Sequence, residues 1–178
     1  MEELNPYAAP QSEAYYDNTN ASHVRQAFLR TESHLKALGL LVMVRSLTSL
    51  VINLVMMRML LQEYGMVVLP WPFIVLGSLL CVAGAGLYFL RRWAGLLTNV
   101  LAFLVIVIAF NQLPAGWIAI VFQACVLAFL RSARARVVLS HEYQAAILRT
   151  PMIRSRPAAW LVPAVVVVVL VNVVLAMR

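Results

Sequence analysis

The densest set of reactive side chains lies in Arg131–Arg156, RSARARVVLSHEYQAAILRTPMIRSR, which holds six arginines, His141, Glu142 and Tyr143. Guanidinium groups beside apolar segments suit anionic lipid head groups, a common use of basic juxtamembrane stretches. Candidate lipid or partner contacts are Arg131, Arg134, Arg136, Tyr143, Arg149, Arg154 and Arg156. His141, Glu142 and Tyr143 have the chemistry for acid–base work on a lipid head group, but a polar face at an interface is the simpler expectation. His141-Glu142 is followed by Tyr143-Gln144-Ala145, so the zinc-protease spacing HExxH is not met, and no nucleophile-elbow GxSxG occurs.

A second set is polar residues inside apolar runs: Arg45, Asn53, Asn99 and Gln123. Arg45 stands about 12 Å into the first such run at 1.5 Å per residue. A charge near the bilayer centre costs at least about 2.5 kcal/mol, which makes an arginine there a functional candidate. Ser46, Thr48, Ser49 and Asn53 extend a polar stripe beside it. The stripe suits helix packing or partner contact, or the lining of a path for an anion. Arg58 is near the far end of the same run and can snorkel. No carboxylate or histidine lies in any span core, which lowers the expectation of proton-coupled transport and of a bis-histidine haem. Cys81 and Cys125 sit in apolar runs without CxxC or zinc spacing and read as small buried residues. His23 and His34 are three turns apart and do not chelate one ion. No cofactor and no metal site is expected.

The elements that must position these groups follow from composition. The chain has 178 residues, 63% apolar and 12% charged. A soluble domain is about half apolar and a quarter charged, so the solvent expected here is lipid. The net charge of +7 comes from arginines in short loops between apolar runs, a topology signal, and no nucleic-acid module accompanies it. The expected fold is all-α: a polytopic transmembrane helical bundle of about five spans.

Residues 1–22 carry acids but no Lys or Arg and read as a disordered cytoplasmic tail without a signal peptide. Residues 23–36 space Val24, Ala27, Phe28 and Leu35 as a short interfacial amphipathic helix, which can run on into the first span. A four-span bundle is expected over 37–130, with spans at 37–62, 67–90, 93–110 and 115–130, the last short for crossing. Gly77, Cys81 and Gly84 form a small-residue face for close helix approach. Residues 131–157 form a basic cytoplasmic segment. In it, 131–139 prolong the fourth helix, and Ser140 caps a short helix to Arg149 whose Tyr143, Ala146 and Ile147 face the membrane. Residues 158–178 form the fifth helix, with Pro163 as a kink near its start.

Five spans put Arg25, Arg30, Lys36, Arg91, Arg92 and the six arginines of 131–156 on one side, and only Arg178 on the other. The N-terminus is then cytoplasmic and the C-terminus periplasmic. NPYAAP, FLRTESHLKALGLL and HEYQAAILRTPMI together resemble a group of small bacterial multi-span membrane proteins of uncharacterised activity. That resemblance implies the bacterial inner membrane and transfers no catalytic residue. The function expected is a non-enzymatic accessory subunit or assembly scaffold, with a protein partner or homo-oligomer and no nucleic acid. The alternative is a small oligomeric channel or transporter for an anionic solute.

Overall fold

The computed structural model describes residues 9–64, 71–111 and 116–176. Among them are seven helices and no strand: α1 (Ala9–Tyr64), α2 (Trp71–Tyr88), α3 (Arg92–Phe110), α4 (Trp117–Arg131), α5 (Ala133–Val138), α6 (His141–Arg149) and α7 (Leu161–Ala176). The all-helical expectation holds. Among the described residues, two stretches, Asn20–Met59 and Arg92–Phe110, are long and apolar enough to cross a membrane. The other apolar helices are shorter, and α4, with 15 residues, reaches about 22 Å against a hydrocarbon core of about 30 Å.

α1 is the spine. It packs against α2, α5, α6 and α7, while α3 bridges α2 and α4. Its buried seam runs Ala21, Arg25, Glu32, Leu35, Gly39, Val42 and Ser46, with half-buried Phe28 between Arg25 and Glu32. The steps alternate four and three residues, the spacing of a helix that keeps one side against its neighbours. Two of these seam positions are charged.

Three expectations change here. Residues 9–22 of the supposed tail are helical and continuous with α1, and residues 1–8 lie outside the described residues. Once a packed helix exists, adding a residue costs little compared with starting one, so the segment propagates from the anchored turn at Ala21 and Arg25. Residues 23–36 are not a separate interfacial helix. No glycine or proline separates them from Ala37, and their seam is covered by α6 and the 150–158 segment, while Val24 and Ala27 are exposed. Residues 131–139 do not prolong α4. Ser132 turns extended (ψ 145°) and its hydroxyl accepts from the Ala135 N–H, so a new helix, α5, starts there.

The cap at Ser140 is as expected. Its side chain accepts from the Tyr143 N–H, and Glu142 sits in the first turn of α6. Thr150 leaves the helix ahead of Pro151. Tyr143 and Ala146, however, are buried against protein, with Ile147 packed beside them, so this face does not look to a membrane. Pro163 falls in the first turn of α7, where its missing N–H removes no helical bond.

α1 and α2 meet backbone to backbone. A Cβ on Gly39 would lie 2.6 Å from the Gly84 carbonyl oxygen, and one on Gly84 would lie 2.7 Å from that of Gly39. Gly77 faces Leu50 farther along the same contact, which accords with the small-residue face. α2 ends with Leu90 in the left-handed region (φ 55°), its N–H on the Leu87 oxygen and the Arg91 N–H on the Gly86 oxygen. The strain of a leucine there, about 1–2 kcal/mol, is offset by burial of its side chain in the main cluster.

That cluster joins Leu35, Leu38, Leu87, Leu90, Ala94, Leu130, Val138, Leu139 and Tyr143. It lies where the α2–α3 turn, the end of α4 and the α5–α6 pair converge on α1. The outer faces of the long helices are apolar and exposed: Leu47 58%, Leu96 71%, Phe103 65%, Phe110 66% and Val162 70%.

Candidate functional site

Three polar assemblies are built on this frame. The most tightly bonded is centred on Glu32, which is fully buried. The seam spacing places Glu32 two turns from Arg25, and Lys36 follows one turn later on the same helix. Arg25 contacts both carboxylate oxygens at 3.4 and 3.5 Å. Lys36 Nζ is 3.2 Å from Oε1. The phenol of Tyr143 donates to Oε2 at 3.0 Å, and the Ser155 hydroxyl donates to Oε1.

The bonding continues outward. Arg25 donates to the Thr150 carbonyl and, at 3.0 Å, to its hydroxyl, which donates in turn to the Ala146 carbonyl at 2.7 Å. Lys36 reaches Ser155 Oγ at 2.7 Å. The Ala158 N–H donates to the Ser33 carbonyl. Trp160 Nε1 donates to His34 Nδ1 at 2.8 Å. On the other flank, Gln144 Nε2 donates to the Leu90 carbonyl at 2.9 Å.

Burial alone would raise the Glu32 carboxyl. The bonds from Ser155, Arg25 and Lys36, with the charge of Arg25, outweigh it and hold the group below its ordinary value. Burial and the facing carboxylate push the Tyr143 phenol well above its ordinary value. A charged acceptor and a neutral donor locked together have neither a free base nor a nucleophile to offer. This cluster ties two parts of the chain more than a hundred residues apart.

S-x-x-K spacing, which marks some serine nucleophiles, occurs once in this region, at Ser33 and Lys36. Lys36 Nζ is engaged by Glu32 and by Ser155 rather than directed at the Ser33 hydroxyl. His141 and Glu142 are exposed on α6 while Tyr143 is buried; Glu142 lines one hollow with Tyr143 and another with His141, so the three do not converge on a single site.

The second assembly is a pocket of about 170 Å³ among α1, α2, α3 and α4, where Arg45, Ser46, Ser49 and Gln123 meet an otherwise apolar lining. The Arg45 guanidinium lies 4.5 Å from the centroid of Phe122, and its Nη1 is buried without a hydrogen-bond partner. Asn53 bonds back to the Ser49 carbonyl one turn away. Asn99 is elsewhere, bonded to the Gly95 carbonyl with its Oδ1 buried and unpartnered. The structure therefore joins Arg45 to Gln123, keeps Asn53 adjacent, and separates Asn99.

The third is a crevice of about 760 Å³ between α3, α4 and the α5–α6 pair, lined by Arg92, Arg131, Arg136, His141, Glu142 and Asn99 among others. Of the basic residues singled out in the sequence, Arg131 and Arg136 line it. Arg134 is exposed on α5, Arg149 lines a smaller hollow against Asn20, Ala21 and Val24 of α1, and Arg154 and Arg156 are exposed after α6.

Arg25, Glu32, Lys36, Thr150, Ser155 and Trp160 were not among the expected site residues. A signal existed: Arg25 and Glu32 fall on the same alternating four-and-three spacing as Leu35 and Val42, which places both charges on the buried side. Glu32 and Lys36 also have the i, i+4 pair spacing.

No protein-family model, no curated protein and no solved structure matches the chain.

Proposed function

We propose that the protein is a small five-span membrane protein that works as a non-enzymatic accessory subunit or assembly scaffold, with its basic side cytoplasmic. The observation that carries this is α7. It packs on α1 and leaves Val162, Val166, Val167, Leu170 and Val174 exposed. An apolar face of stiff β-branched side chains is stable only under lipid or a partner helix. The Glu32 cluster supports the same reading, because it holds α1, α6 and the 150–158 segment as one fixed platform. The bacterial inner membrane, implied by the sequence resemblance, is the compartment of this reading.

Extraction from membranes in mild detergent is the test. A stoichiometric partner or a homo-oligomer is expected, and a substitution such as Val166→Asn in α7 should release it. A lone monomer under native extraction overturns the scaffold reading. Recovery in the soluble fraction overturns the membrane reading itself.

The pocket at Arg45 favours a second reading, a small oligomeric channel or transporter for an anionic solute. Glu63 and the acids of residues 1–19 aside, the carboxylates of the chain are Glu32, which is engaged, and Glu142, which lines the distant crevice. A guanidinium in apolar surroundings needs an opposite charge, and a passing anion supplies one. Anion flux into reconstituted vesicles that is unchanged in Arg45→Ala removes this reading.

A further inference from the structure

We propose that the crevice between α3, α4 and the α5–α6 pair is a phosphodiester site that holds the head group of one anionic phospholipid, with an acyl chain laid along α3. The inference rests on the membrane reading above.

Three arginines reach this crevice from three elements. Arg92 is the first residue of α3, Arg131 the last of α4, and Arg136 lies in the last turn of α5. The break at Ser132 starts a new helix whose Arg136 lines the same crevice as Arg131, and Leu139 packs against Gly95 on its lining, 2.8 Å from where a Cβ would stand. The three guanidinium groups are exposed, and none forms an ion pair among the described residues. Glu142 is the one carboxylate on the lining, so the crevice is a cationic cup. Guanidinium forks match phosphate oxygens in pairs, which suits a phosphodiester better than a point charge does.

The wall of the cup decides between a lipid and a free anion. Leu96 and Val100 line it, and the exposed apolar stripe continues through Phe103, Val107 and Phe110 to the end of α3. The spacing is i, i+4, i+7, i+11, i+14, a straight track of about 20 Å at 1.5 Å per residue. A phosphate ion uses only the cup. A phospholipid uses the cup and the track.

Native mass spectrometry of the detergent-purified chain, titrated with dioleoylphosphatidylglycerol or dioleoylphosphatidylcholine, tests this. One phosphatidylglycerol per chain should be retained in preference to phosphatidylcholine. The triple variant R92Q/R131Q/R136Q should lose that retention about tenfold or more. R92K/R131K/R136K, which keeps the charge, should lose only a few-fold and serves as the check that the triple change leaves the chain folded. R154Q/R156Q removes two arginines of the same polar interval outside the crevice and should bind as the parent does. Equal retention of both lipids, or an equal loss in R154Q/R156Q, overturns the site in favour of a diffuse basic face. Full displacement by millimolar inorganic phosphate overturns the lipid assignment. Loss in the lysine variant equal to that in the glutamine variant overturns charge complementarity as its basis. Any of these results in a chain that still fractionates with membranes defeats the site and leaves the membrane reading standing.

Discussion

The Tyr143 phenol donates to Glu32 Oε2 across 3.0 Å, with both side chains buried and the two residues 111 positions apart in the chain. This bond fixes α6 to α1, and with it the platform that carries the arginine crevice. Phe28 meets the same tyrosine ring edge to face, 6.0 Å between centroids, so the phenol is held on its apolar side as well.

Tyr143→Phe should keep the ring packing and remove one donor from a buried carboxylate. Bonds to charged groups contribute about 1.5–3 kcal/mol, and a loss in that range is expected in unfolding from detergent. Arg25→Ala should cost more, about 3–5 kcal/mol, because it leaves a buried charge short of its counter-ion. In the double variant the losses should be less than additive, since both act on one network.

Stability should depend on pH in two windows. The Glu32 carboxyl is depressed in the folded chain, so the unfolded chain takes up its proton first as pH falls. Its contribution is full above about pH 4.5 and is lost below that, through the depressed folded value. Glu32→Gln should flatten this acid limb. The Tyr143 phenol is raised in the folded chain, so its contribution is full below about pH 10 and falls as pH rises beyond that. Tyr143→Phe should remove the alkaline limb. Thermal midpoints across both ranges provide the measurement.

Gly39→Ala and Gly84→Ala should each destabilise by about 2 kcal/mol or more, despite the better helix propensity of alanine, because the added carbon meets backbone that cannot rotate away. Gly77→Ala meets only the flexible end of Leu50 at 2.9 Å and should be close to neutral. Equal costs at the three positions would show that α1 and α2 do not cross at Gly39 and Gly84.

Ser140→Ala should cost about 1 kcal/mol by removing the acceptor for the Tyr143 N–H. Ser140→Asp should retain the cap. The same pair of substitutions at Ser132 reports on α5, and a loss of lipid retention in Ser132→Ala would follow from the displacement of Arg136.

Some of this was legible in the residues alone. Sixty-three per cent apolar composition in long runs points to helices with apolar outer faces, because under lipid every backbone group in such a run would have to bond within its own segment. Ser140 ahead of His141-Glu142 determines a helix start, and Gly77 and Gly84 a close helix contact, since both depend on a few neighbouring atoms. What pairs with what across the chain was decided only by tertiary structure. Reading apolar positions for the buried side passed over Arg25 and Glu32, because a charge can be buried only where its partners are, and Tyr143, Thr150 and Ser155 lie more than a hundred residues away. The same holds for Arg92, which lines one crevice with Arg131 and Arg136 because α3 packs on α4. Local rules fix where a helix starts. The return of the chain onto α1 fixes which charges meet.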